Sequence, residues 1–102
     1  MLMGKVVGTV VSTQKDQGLE GYKLQIVQIV DFEMKKTSSY VVAVDAIGAG
    51  YDEMVLVVQG SSARLTAQTK NKPVDAAIIA IVDSVDIEGQ LRYRKFEHAG
   101  AR

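Results

Sequence analysis

The residues best able to do chemistry in this chain are few, and each has a plainer explanation beside the chemical one. Gly48-Ala49-Gly50 directly after an apolar run resembles the start of a phosphate-cradling dinucleotide turn. Glu53 stands where the third glycine belongs, and it leads into the strand-like Met54-Val55-Leu56-Val57-Val58, not into a helix whose N-terminus would hold a pyrophosphate. A glycine-dependent tight turn is therefore the expected role. The single histidine, His98, lies in the C-terminal tail with no orienting partner nearby in sequence, so general acid–base chemistry has no footing. Asp31 and Glu33 at spacing two would share one strand face and could begin a cation site, but no third oxygen ligand accompanies them, and a solvent-facing pair is the better reading. Only Arg92-Tyr93-Arg94-Lys95-Phe96 interleaves basic and aromatic side chains as single-stranded nucleic acid would require; an intersubunit strand or basic tail is the alternative.

Bulk properties narrow the classes further. A chain of 102 residues has room for one domain and one modest core. With 47% hydrophobic and 24% charged residues it has ordinary globular composition. Twelve basic side chains balance twelve acidic ones, so no net field gathers phosphates or anionic lipid. The absence of cysteine removes disulfides, thiolate metal sites and a thiol nucleophile. No export signal is expected at the N-terminus, and the longest apolar run, residues 76–82, is far short of the roughly 18 residues of a membrane span. A cytoplasmic protein with no membrane or nucleic-acid partner, no metal and no cofactor is the expectation.

The elements that must position these residues are β-strands. Valine and isoleucine cluster in short runs separated by glycine or polar turns. Strands are predicted over residues 5–12, from 22 to about 32, and over 40–45, 54–59 and 76–83. Residues 13–21 form an exposed loop between the first two. In the second strand the even positions Leu24, Ile26, Val30 and Phe32 are apolar, the period of two of a half-buried strand. The last two strands are apolar on consecutive residues, so both faces must be shielded, and a neighbouring copy of the same chain is the simplest cover. Ser61 is a good N-cap before helix-tolerant residues 62–68, which predicts a short helix there. The fold expected is all-β, a small five-stranded OB-like barrel with one short helix, residues 1–93 forming the domain and 94–102 a loosely ordered tail.

Taken together, five motifs in order resemble the bacterial microcompartment vertex family, also called the EutN/CcmL family, over essentially the whole chain. They are Gly4-Lys5-Val6-Val7-Gly8, then Val44-Asp45-Ala46-Ile47-Gly48-Ala49-Gly50, Val55-Leu56, Gly60-Ser61-Ser62-Ala63-Arg64, and Pro73-Val74-Asp75-Ala76 leading into Ile79-Ala80-Ile81-Val82-Asp83. One departure is Asp52, where many relatives carry glycine. The resemblance implies a non-enzymatic homo-pentamer of OB-like barrels capping the vertices of a polyhedral shell, in contact with hexameric shell proteins. It also implies that Gly60, Ser61, Ser62 and Ala63 line an opening near the five-fold axis. Asp45, Gly48, Gly50, Arg64, Asp75 and Asp83 would then serve subunit contacts, with the three aspartates as candidate partners of Arg64. The compartment is expected to be a catabolic one. The alternative from the fold class alone is a module binding single-stranded nucleic acid.

Overall fold

Branched aliphatic side chains favour extended backbone because they pack well on a pleated surface. Their distribution produces seven strands in the computed structural model, which describes residues 1–95. In chain order these are β1 (Leu2–Val10), β2 (Lys23–Val30), β3 (Lys36–Asp45), β4 (Met54–Gln59), β5 (Ala76–Ile81), β6 (Ser84–Ile87) and β7 (Gln90–Arg94), with 3-10 turns at Gln17–Leu19 and Gly60–Arg64. The first five close into a barrel in the order β1-β2-β3-β5-β4. All contacts are antiparallel except β3 with β5, which run parallel and meet only at Val44 with Ala77 and Asp45 with Ile78. The expected five-stranded all-β barrel is therefore the observed one.

Three local expectations are corrected. The helix is a 3-10 turn at Gly60–Arg64, shorter than predicted, and its N-cap is Gln59, whose side chain makes no capping bond; Ser61 lies inside it. Gly60 takes a φ of 66°, which lets the chain leave β4 and turn at once, and its amide donates to the carbonyl of Asp75 at 2.8 Å. In β2 the inward face is the odd one: Gln25 and Val27 are buried, while Leu24 and Ile26 are half-exposed and Phe32 stands in solvent beyond the strand end. Finally, residues 84–94 form a hairpin, β6–β7, that was not among the five strands expected. Arg94 closes β7 and Lys95 comes directly after it; the rest of the predicted tail, including Phe96 and His98, lies outside the described residues.

The core has three parts, which explains why consecutive residues of β4 and β5 are apolar. Val6, Val27, Val55, Val57 and Ile78 fill the barrel. On the outer face at one end, Val44, Ala63, Val74 and Ala77 pack together under the segment joining β4 to β5. At the other end Met54 and Val30 pack against Tyr93 of the hairpin. Much of the second face is thus covered by the chain's own connections and hairpin. A neighbouring copy is not needed for those residues, contrary to the sequence argument.

Candidate functional site

The turn between β3 and β4 is held from every side. Asp45, at the end of β3, accepts from the amides of Ile47 and Gly48 through Oδ1 at 3.0 and 2.8 Å. Gln25, 1% exposed, reaches up from the barrel interior: its Nε2 donates to the carbonyl of Ala49 at 2.8 Å, and its Oε1 accepts from Thr9 Oγ1 at 3.0 Å. A buried amide so satisfied fixes geometry, because any displacement leaves a desolvated polar group without its bond. Glu53 closes the far side, accepting from the Gly50 amide through Oε1 at 2.5 Å and pairing with Lys95 through Oε2 at 3.0 Å. Those two contacts, the amide first, hold its carboxyl below the usual carboxylate range. Gly48 has φ of 93° and Asp52 has φ of 71°. The second value gives the departure at Asp52 a physical meaning: its backbone occupies the left-handed region that glycine enters freely and that aspartate tolerates. Asp52 also pairs with Lys5 at 3.3 Å. What this framework presents outward is apolar, Ile47 at 47% and Tyr51 at 72% exposure.

The block at residues 60–64 divides in two. Gly60, Ser61 and Ser62 are exposed and free to face an opening. Ala63 is removed from the pore-lining candidates, since it is 0% exposed and packs on Val44, Val74 and Ala77. Its carbonyl is bound from below by the buried Thr69 hydroxyl. Arg64 is exposed, and its Nη1 donates to the carbonyl of Val74 at 3.1 Å. Asp45 is committed to the turn, while Asp75 and Asp83 are exposed at the two ends of β5; within the described residues none of the three pairs with Arg64.

The remaining candidates resolve toward structure. Asp31 and Glu33 lie in the turn after β2, not on a strand face: Asp31 Oδ1 accepts from the amides of Glu33 and Lys35, and Glu33 pairs with Lys35. Among the described residues no cluster of three metal-ligating side chains occurs, and no helix is long and apolar enough to cross a membrane. Of the basic-aromatic segment, Tyr93 is 3% exposed and belongs to the core, and burial pushes its phenol above the ordinary value. Lys95 is held by Glu53, which raises its ammonium above its usual value. The Tyr93 ring is thereby committed to the core and is not presented as a face on which a base could stack.

Sequence reasoning missed one concavity. The hairpin stands over the seam between β1 and β4 and leaves an apolar cleft of about 660 Å³, lined by Met1, Leu2, Phe32, Leu56, Val85 and Ile87, among others. The signal that could have found it was the short alternation Val85, Ile87 before Glu88-Gly89, a hairpin turn pattern.

A family model described as ethanolamine utilisation protein EutN/carboxysome matches residues 1–83. The chain belongs to the EutN/CcmL family. Among its EutN/CcmL relatives, the carboxysome shell vertex protein CcmL of Nostoc sp. PCC 7120 is 49% identical over 96 residues, 93% of this chain and 95% of that protein. The solved structure of that CcmL superposes with a TM-score of 0.90, covering 93% of this chain and 100% of that one. The bacterial microcompartment shell vertex protein EutN of Salmonella typhimurium is 40% identical, over 93% of this chain and 96% of that protein. The GrpN pentameric microcompartment shell protein from Rhodospirillum rubrum superposes with a TM-score of 0.78 at 45% identity, covering 85% of this chain and 100% of that one.

Proposed function

We propose that this EutN/CcmL-family chain is a structural, non-enzymatic vertex unit of a polyhedral microcompartment shell in the cytoplasm. It would act as a homo-pentamer seated where sheets of hexameric shell proteins meet. The carrying observation is that the likeness to shell vertex proteins, including one solved as a pentamer, spans 85% or more of this chain and practically the whole of each relative. A flat hexameric sheet closes only through five-fold defects, and a head-to-tail contact whose rotation closes is what makes a ring. The exposed Gly60, Ser61 and Ser62 would face the axis. The preset turn at Asp45, Gly48 and Gly50 would meet a neighbour, as would Arg64, Asp75 and Asp83.

The relatives do not favour a catabolic compartment over a carboxysome, since identity is 49% to CcmL and 40% to EutN. The enzymes encoded beside the gene decide that point. The vertex reading is tested by native mass spectrometry of the purified chain, mixed afterwards with hexameric shell protein. A concentration-independent pentamer that closes the hexamer sheets into polyhedra is expected. A monomer at micromolar concentration, or a pentamer that leaves the sheets open, overturns it.

A further inference from the structure

All four methionines of this chain collect at one end of the barrel, the end on which the β6–β7 hairpin stands. Met54 is buried with Val30 and Tyr93, and Met3 and Met34 pack against that cluster together with Val82 and Val85. Met1 lines the adjoining cleft beside Met3. They come from the N-terminus and β1, from the β2–β3 turn and from the start of β4, so tertiary folding gathers them. Met34 holds a φ of 64°, in the left-handed region that glycine or asparagine enters more easily, and its amide donates to the Asp31 carbonyl at 3.0 Å. The turn so fixed places its side chain against the Tyr93 cluster.

The hairpin relies on that cluster. Its root is clasped by the Val82 amide on the Met54 carbonyl at 2.8 Å, by the Lys95 amide on that of Asp83 at 2.9 Å, and by Lys95 Nζ on Glu53. A two-stranded ribbon does not stand alone, so the rest of its hold is the packing around Tyr93. Thioethers suit such a joint, being flexible, apolar and favourable beside an aromatic ring. They also carry its readily oxidised atoms. Access is graded: Met1 is 78% exposed, Met3 and Met34 are half-buried, and Met54 is 2% exposed. The open cleft gives a small oxidant a path to Met3.

When a peroxide meets a thioether, a sulfur lone pair attacks one peroxide oxygen, the O–O bond breaks, an S–O bond forms and the other oxygen leaves as water. Sulfur gives up two electrons and the peroxide takes them. The product is a polar sulfoxide whose oxygen requires a hydrogen bond, and the side chains of Val30, Val82 and Val85 have none to give. We propose that Met3 and Met34 form an oxidation site whose sulfoxides loosen the β6–β7 arm from the barrel. A dithiol-driven methionine sulfoxide reductase reverses the change, the oxygen leaving as water while the dithiol becomes a disulfide.

The full chain is treated with hydrogen peroxide for increasing times, the oxygen gained at each methionine is read by peptide mass spectrometry, and hydrogen exchange is followed along the chain. Met1 should oxidise first without structural effect, Met3 and Met34 next, and Met54 only after the arm has opened. As Met3 and Met34 convert, protection of residues 84–94 should fall by about tenfold while that of β2, β3 and β5 holds, the penalty of forcing a polar group into an apolar contact. The reductase with its dithiol should restore it. In the double variant Met3→Leu with Met34→Leu, which keeps the volume of the joint, peroxide should leave the protection of the arm unchanged. An arm that stays protected with both sulfurs oxidised, or a Met3 and Met34 that react no faster than Met54, overturns the proposal in the parent chain alone. Equal loosening of the double variant by peroxide overturns it as well.

Discussion

Glu53 joins two regions that are far apart in function: one oxygen holds the Gly50 amide of the β3–β4 turn and the other holds Lys95 at the root of the hairpin. Its carboxyl titrates below the usual range, chiefly because of the Gly50 amide and then Lys95, opposed by partial burial and by Asp45. A depressed value means that the stabilisation is fully present above the unfolded-state value and is lost as pH falls through the folded one. Glu53→Gln should therefore lower stability by about 1 kcal/mol near neutral pH and flatten the acid limb of a stability–pH profile, as followed by urea denaturation. Equal loss at every pH would show that the charge is not what Glu53 contributes. Gln25→Leu is the companion test. It keeps the volume but strands the buried carbonyl of Ala49, at a cost on the order of 1–3 kcal/mol. The lowered denaturant midpoint should come with faster hydrogen exchange at Gly48 and Ala49.

At the scale of elements, the hairpin is the least self-sufficient piece, since a two-stranded ribbon is marginal alone and must borrow stability from the barrel. Tyr93 is buried in that contact, packed with Met54 and Val30. Tyr93→Ala should cost about 3–5 kcal/mol, in line with truncation of a buried aromatic. Amides of residues 84–94 should lose hydrogen-exchange protection before those of β1 to β5. If the arm keeps its protection, the clasp lies elsewhere. The β4–β5 connection is anchored otherwise, with Gly60 on Asp75, Thr69 on the Ala63 carbonyl and the Tyr22 hydroxyl on the Gln68 carbonyl. Its fixed path is what leaves Gly60, Ser61 and Ser62 outward and Ala63 inward.

For the whole molecule, Arg64 separates folding from assembly. Its side chain is exposed and bonds within the chain to the Val74 carbonyl, so Arg64→Ala should cost the monomer only about 0.5–1.5 kcal/mol. Its effect on the ring should be larger if a neighbour's carboxylate meets it, and Arg64→Lys should restore only part, since lysine lacks the planar fork. Native mass spectrometry of both variants beside the parent reads the difference. An undiminished pentamer in Arg64→Ala removes Arg64 from the interface.

Composition and turn chemistry were enough to determine the class of this protein. Valine-rich runs broken by glycine specify strands whatever packs on them, and Gly48-Ala49-Gly50 with Asp45 before it specifies a tight turn, because those conformational preferences are local. The family was legible because its motifs, glycine turns and short apolar strand segments, follow one another in order along the chain. Facing was not. The even face of β2 is the more apolar in sequence, yet Gln25 goes inward, because a buried amide can be satisfied by Ala49 and Thr9 only once the barrel has closed. Nor could sequence say what covers the second face of β4 and β5. The hairpin and the β4–β5 connection do much of it, and that depends on long-range placement of Tyr93 on Met54 and of Ala63 on Val44. Periodicity reports that a residue is to be buried, and only tertiary structure decides by whom, since burial energy is indifferent to the source of the covering surface.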